Sequence, residues 1–142
     1  MKKKTNFLDL GKQPITNNFL STQNPKNEFF YNLKLIFNSH TKLVSLRKFV
    51  SPKKMFNDKY AHRASASKTM CLAYAKLANL IKKRYKPKSI LEIGSNDGVF
   101  IKHFKKINHL GVEPCKNLAQ ITNKMGIKTY DEFWTLKLSQ KI

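Results

Sequence analysis

Cysteine is nearly absent. Cys71 and Cys115 are the only two in 142 residues, too few for a disulfide framework, so a reducing, cytoplasmic setting is the expectation. No apolar run approaches the roughly 18 residues that a membrane span needs, and no internal repeat is visible. Met1-Lys2-Lys3-Lys4 has the charge of a signal-peptide start. Asp9 and Lys12 interrupt what would be its apolar segment, so no secretory signal is expected. The length suits one domain or two small pieces. Hydrophobic residues make up 41%, with ten Phe, enough for a modest core and against wholesale disorder.

Acid is scarce as well. Eight Asp or Glu stand against 28 Lys or Arg, for a net charge of +20. Such a balance fits a binder of nucleic acid or of a membrane surface. It equally fits compositional drift. Arginine is the residue best suited to forked phosphate and base contacts, yet only Arg47, Arg63 and Arg84 are present. The basic residues are spread along the chain rather than gathered in one tract. Nucleic acid is therefore a possible partner but not the favoured one.

The first 66 or so residues are irregular in pattern. Phe7-Leu8-Asp9-Leu10-Gly11 reads as a short strand and turn. Asn17 to Asn27 reads as a loop. Phe29 to Phe37 and Lys42 to Val50 read as two strands joined by the polar knuckle Asn38-Ser39-His40-Thr41. Ser51-Pro52 closes the unit. Ser67 then caps a helix whose Met70, Tyr74, Leu77 and Ile81 fall at helical spacing, with Ala73 and Ala78 beside them. Lys82, Lys83 and Arg84 suit its C-terminal dipole, and Pro87 marks the stop. A strand is expected at Ser89 to Ile93, a helix from about Val99 to Lys106, and a strand at His109 to Val112. A helix at Lys116 to Met125 and a short strand at Ile127 to Tyr130 follow. The order helix, β, α, β, α, β is the opening half of a doubly wound α/β sheet.

The stretch Ile90-Leu91-Glu92-Ile93-Gly94-Ser95-Asn96-Asp97-Gly98 is the chemical centre of this reading. A strand that ends in a glycine turn and opens a helix offers backbone N–H groups to a ligand. The spacing is G-x-x-x-G, with Glu92 inside the strand. That shape is unlike a pyrophosphate turn and suits a ligand with an amino-acid end. Glu113 closes the next strand nineteen residues after Gly94, where an acid grips a ribose diol in such folds. Together these residues read as an S-adenosylmethionine site. The plainer reading is a tight turn and a surface acid in some other α/β domain.

Four ordered blocks carry a resemblance: "FLDLGKQPITNNF" from Phe7, "MFNDKYAHRASASKTM" from Met55, "ILEIGSNDGVFIKHF" from Ile90 and "HLGVEPCKNLA" from His109, with Phe133-Trp134 fitting as well. The chain resembles the start of the sugar C-methyltransferase family. These adenosylmethionine-dependent enzymes methylate nucleotide-linked deoxysugars, the NDP-deoxysugar 3-C-methyltransferase type. The resemblance implies a small zinc-binding unit, a Rossmann-like class I methyltransferase domain and a C-terminal domain. Here that gives a degenerate zinc-binding-like unit at 1–54 and a cofactor-binding domain at 55–142. Glu92, Gly94, Asn96, Asp97 and Gly98 match the family's cofactor turn, and Glu113 its ribose acid. Tyr60, Ser65 and Ser67 match a motif lying over the active site, with His62 and Ala64 where a Tyr and a Ser are common. Tyr60 equally fits the role of a packing aromatic.

Two departures follow. The family holds one zinc with two C-x-x-C pairs. Here Asn38 and Thr41 stand at the second pair, and nothing before Phe7 supplies the first. Cys71 and Cys115 do not replace them, so the zinc site is expected to be lost. The family's sheet has seven strands, and about three are expected here. Its catalytic base, a His/Tyr site, lies further on, and none of His40, His62, His103 or His109 matches it. No catalytic residue is named.

Three readings result. The chain is a truncated N-terminal fragment of such an enzyme, or one half of a split enzyme completed by a second chain, with a nucleotide-sugar substrate in the full-length family. The alternative is a small basic protein that binds nucleic acid or another polyanion on the old fold. Elemental analysis of the purified chain is expected to find far less than one zinc per molecule; one full equivalent retained through dialysis would refute the loss.

Overall fold

The computed structural model describes residues 4–20 and 28–142. The expected loop from Asn17 to Asn27 lies partly outside them, as does most of the Met1–Lys4 start. The chain divides into two compact units, Met1–Met55 and Phe56–Ile142.

The first unit is an antiparallel meander of β1 (Lys4–Pro14), β2 (Phe30–Asn38) and β3 (Leu43–Leu46), in the order β1-β2-β3. Register slips between Asn6 and Leu8 and again between Asp9 and Lys12. Gly11, at φ +67, sits at the second slip, and its amide donates to Asp9 Oδ1 at 3.0 Å. A bulge with a left-handed glycine is the usual way to absorb an extra residue. Asp9 also pairs with Lys34 across the strands at 2.6 Å. That contact, with the Gly11 amide, holds its carboxyl below the ordinary range.

The knuckle between β2 and β3 is built by Asn38. Its Oδ1 accepts the amides of His40 and Thr41, and its carbonyl accepts Lys42 N–H at 2.8 Å. Asparagine closes such turns because its side chain mimics a backbone carbonyl. β3 is shorter than expected. After Leu46 the chain is held by Arg47, whose amide donates to Lys34 O and whose guanidinium reaches Asn6. Pro52–Met55 forms a single helical turn, α1, where the sequence suggested only a stop. Proline at the first helical position costs no hydrogen bond. The meander buries little: Phe7 is 61% exposed and Leu43 64%.

The second unit is a three-stranded parallel sheet, β4 (Ser89–Ile93), β5 (Asn108–Val112) and β6 (Thr129–Tyr130), in the order β4-β5-β6. It carries helices α2 (Lys68–Tyr85), α3 (Lys116–Lys124) and the short α4 (Leu136–Ser139). Ser67 caps α2 by accepting Met70 N–H, and the helix ends at Lys86 in the left-handed region, φ +45. Thr135 caps α4 in the same way, an element the sequence did not reveal. The expected helix at 99–106 is only a 3-10 turn, Ile101–Phe104. Gly98 leads directly into the buried run Val99, Ile101 and Phe104, which plugs the core instead of extending along the sheet.

α2 faces inward on part of the expected stripe, with Tyr74, Ala78 and Ile81 turned in as read. Ala78 is fully buried, Cys71, Tyr74, Ala75 and Ile81 are half-buried, and Met70, Ala73 and Leu77 point outward. Small Ala75 and Ala78 allow close approach, and Tyr74 meets Phe100 with ring centroids 5.6 Å apart. The core is completed by Val112, Leu118, Ala119, Ile127 and Leu138. No helix among the described residues is long and apolar enough to cross a membrane.

Two glycines separate packing from conformation. Gly98 (φ +78) has Met125 Cε 2.9 Å and Thr122 Cγ2 3.0 Å from where a Cβ would sit, whereas Gly126 (φ +76) faces open space. Gly126→Ala is expected to cost about 1 kcal/mol from backbone strain alone. Gly98→Ala adds overpacking and is expected to cost about 3 kcal/mol. Urea denaturation of the two variants measures the difference, and equal losses would show that α3 yields freely.

Candidate cofactor site

The site is built where β4 and β5 end. The turn after β4 runs through three left-handed residues, Gly94 (φ +73), Asn96 (φ +50) and Gly98 (φ +78). Its amides are not left free for a ligand as the sequence suggested. Gly94 and Ser95 N–H both donate to Val112 O, at 2.7 and 3.2 Å, and Gly98 N–H donates to Ser95 O. Asn96 N–H donates to Glu113 Oε2 at 2.8 Å. The other Glu113 oxygen accepts Cys115 N–H at 2.9 Å. A carboxylate has about four acceptor positions, so Glu113 keeps capacity for a further donor.

A strap crosses this turn. The segment around the 3-10 turn Ala64–Ala66 is tied down by two side chains of the turn. Asn96 Oδ1 accepts Ala64 N–H at 2.8 Å, and its amide nitrogen donates to His62 O. The Asp97 carboxylate accepts Ser65 N–H and, at 2.5 Å, Ser65 Oγ–H. Asn117 of α3 donates to Tyr60 O at 2.8 Å. Short polar residues suit this work because they bond backbone without long-chain entropy loss.

Between strap and turn lies a cleft of about 420 Å³. Of the sequence-derived residues, Tyr60, Gly94, Asn96 and Glu113 line it. Glu92, Ser65, Asp97 and Gly98 do not: Ser65 and Asp97 fasten the strap, and Gly98 seats the turn on α3. The rest of the lining is Phe56, Ile93, Pro114, Phe133 and Trp134. Phe56 and Tyr60 contact each other at 5.6 Å. Phe133-Trp134 was visible as a fitting pair, but Pro114 and the anchoring Asn117 gave no sequence signal of their own.

Two buried groups near the turn have shifted ionisation. Burial pushes the Glu92 carboxyl up to about 7, the Glu113 charge adding to it and the Ile101 amide opposing. Glu92 Oε2 has no hydrogen-bond partner, nor does buried Ser95 Oγ. Burial first, then Glu113, pushes the Cys115 thiol up to about 12, so this cysteine is no nucleophile at neutral pH. Among the described residues no group of three or more His, Cys, Asp or Glu converges as a metal site.

The chain's N-terminal part, residues 1–56, matches the family described as "Putative zinc binding domain". Over 141 residues the chain is 25% identical to the C-methyltransferase NovU of Streptomyces niveus, covering 95% of this chain and 33% of the relative. The chain thus spans about a third of that relative's length. A solved structure, DesVI of Streptomyces venezuelae, aligns with 46% of this chain and 31% of its own at a TM-score of 0.39 and 18% identity.

Glu92 generates a pH signature. Its folded pKa lies above the ordinary carboxylate value, so its contribution is full below about pH 4.5 and is lost as pH rises through about 7. The loss amounts to roughly 3 kcal/mol. Glu92→Gln is expected to flatten the stability profile between pH 5 and 8 and to raise the melting temperature at pH 8. Thermal denaturation across that range checks it, and a profile unchanged by the substitution would place Glu92 in water.

Proposed function

We infer that this chain, whose similarity runs along the N-terminal portion of the sugar C-methyltransferase family, holds S-adenosylmethionine in the cleft between Glu113 and Trp134. The observation that supports this most is the pairing of a buried carboxylate with an aromatic slot at the C-terminal ends of adjacent parallel strands, where such sheets place their ligands. The parallel order β4-β5-β6 with helices supports reading this unit as the first half of a Rossmann-like domain. When bound, the cofactor supplies an electrophilic methyl group for transfer to a sugar carbon.

The residues present fit that cofactor in part. Glu113 has spare acceptor capacity for a ribose diol. Phe56, Tyr60, Phe133 and Trp134 offer flat apolar surface for an adenine ring. Gly94 meets nothing within 4 Å of where a Cβ would stand, so ligand atoms can approach the backbone there. Asp97 places negative charge behind the turn, favourable to a sulfonium and an ammonium. The amides of Gly94 and Gly98 are already engaged, so they do not bind the amino-acid carboxylate in this conformation.

C-methylation also needs a base to take a proton beside a carbonyl; the cleft lining holds no histidine, and its carboxylate, Glu113, is already engaged by the Asn96 and Cys115 amides. We therefore assign base and sugar recognition to polypeptide beyond these residues, in the same protein or in a second chain. Among the described residues no strand pairs with the outer edge of β4, and its Leu91 and Ile93 are exposed; both support that assignment, because parallel sheets are ordinarily covered on both faces. Zinc does not fit. At the knuckle the β2 and β3 ends are closed by Asn38 rather than by thiolates, and neither cysteine belongs to that unit.

Trp134 is the chain's single tryptophan, so its emission reports the cleft directly. Titration with S-adenosylmethionine is expected to change that emission saturably. Glu113→Gln is expected to weaken binding about tenfold, the loss of one charged hydrogen bond. An emission that stays constant to millimolar cofactor, with no heat in calorimetry, would sink the assignment.

A further inference from the structure

A second cleft, of about 510 Å³, opens in the same unit between the end of α2 and the segment that joins the 3-10 turn to β5. Five lysines line it: Lys82 and Lys86 on one side, Lys102, Lys105 and Lys106 on the other. No acidic residue lines it, and none of the five makes an ion pair among the described residues. Pro87 and Ile107 give it an apolar floor, with Phe104 buried beneath. Lys82 Nζ stands 5.4 Å from the centre of the Phe104 ring. Lys105 is partly engaged, donating to Met125 O at 2.5 Å. Four cationic groups are thus left around one apolar hollow.

The local field is visible in a neutral neighbour. His103 lines the cleft, and its Nε2 is buried without a partner. Burial, then the charges of Lys102 and Lys82, hold its imidazole below the ordinary range. Like charges crowd here at a cost that an anion would relieve. What sets this cleft apart from lysines scattered over a surface is that five of them meet in one concavity beside an imidazole nitrogen without a partner.

We propose that this cleft binds a base with successive phosphates, supplied by a free nucleoside polyphosphate or by neighbouring units of a single strand, with the ring on the apolar floor and the phosphates between the two lysine sets. A cavity of this size suits one nucleotide. Lysine serves phosphate as a point charge without the fork of arginine, which predicts affinity without base specificity. The proposal does not rest on methyl transfer, since the two clefts share no residue.

The test uses the full 142-residue chain with three probes: a nucleoside triphosphate, inorganic tripolyphosphate and an eight-nucleotide single strand. Amide shifts are expected at residues 82–88 and 102–107. The strand's affinity is expected to fall with a log–log salt slope of about −3, roughly −0.7 for each of four neutralised phosphates. Lys86→Gln with Lys102→Gln is expected to weaken binding at least tenfold. Lys76→Gln with Lys137→Gln removes the same charge elsewhere and is expected to change it less than twofold. Equal weakening by both pairs would show diffuse attraction only and overturn the site. So would shifts outside the cleft, the absence of binding at 150 mM salt, or tripolyphosphate binding as tightly as the nucleoside triphosphate. A strand that binds tighter than the free nucleotide assigns the site to nucleic acid, and the reverse order assigns it to the free nucleotide; either supports the shared chemistry.

Discussion

The Glu113 carboxylate holds three pieces of chain in one place. It stands at the end of β5, accepts the Asn96 amide from the turn after β4, and accepts the Cys115 amide at the start of α3. Each of those donors is enclosed, and an enclosed donor without an acceptor costs about 1–3 kcal/mol. The consequence spreads through Asn96. Held at φ +50, it turns its side chain to Ala64 and His62 and its carbonyl to Thr122 Oγ1. Strap, turn and helix α3 are therefore joined through one carboxylate and one amide side chain, with Asp97 and Asn117 fastening the strap further. The walls of the cleft are fixed by these hydrogen bonds within the chain.

Parts of this were legible in residues and parts were not. The strand at Ser89 to Ile93 was bounded correctly because a β-branched run ended at glycine and began after Pro87. Ser67 as a cap and a helix read over Lys116 to Met125, one residue longer than α3, followed from short-range chemistry. The run from Val99 to Lys106 read as a helix by periodicity, yet Val99, Ile101 and Phe104 are all buried. A segment that plunges into a core has apolar spacing close to that of an amphipathic helix. The stripe on α2 was read in part: Tyr74, Ala78 and Ile81 do turn inward, but Leu72, Leu77 and Leu80 are apolar and exposed and blur the edges of the polar face that carries Lys68, Lys76, Asn79 and Lys83. At the site, glycines and acids marked the turn. Whether an acid faced the cleft or fastened the strap depended on long-range partners such as Ser65 for Asp97, which local sequence does not encode.

The antiparallel meander is held more by polar closures than by a core. Three strands present two faces, and with Phe7, Leu43 and Val44 exposed apolar burial alone gives the sheet little support. A small unit of this size normally relies on a metal or disulfide. Here local polar closures stand in: Asn38 closes the knuckle, Asp9 ties Gly11 to Lys34, and Arg47 reaches Asn6. Each is worth little by itself, since the Asp9 pair is solvent-exposed and screened by salt.

The net charge and the bare β4 edge bear on one another. An unpaired parallel edge with Leu91 and Ile93 exposed is a template for further strand pairing. The cheapest partner by concentration would be a second copy of the same chain. At +20 per chain, two copies approach against substantial repulsion, weakened but not abolished by salt over a Debye length of about 8 Å. Lys86 and Lys88 flank the start of β4 and concentrate that repulsion at the edge itself, as charged gatekeepers do in natural sheets. The same lysine excess that opens an anion cleft thus also biases the edge away from self-pairing. A less basic polypeptide would meet the same edge without that penalty, gaining both the open hydrogen-bonding groups of β4 and the apolar side chains beside them.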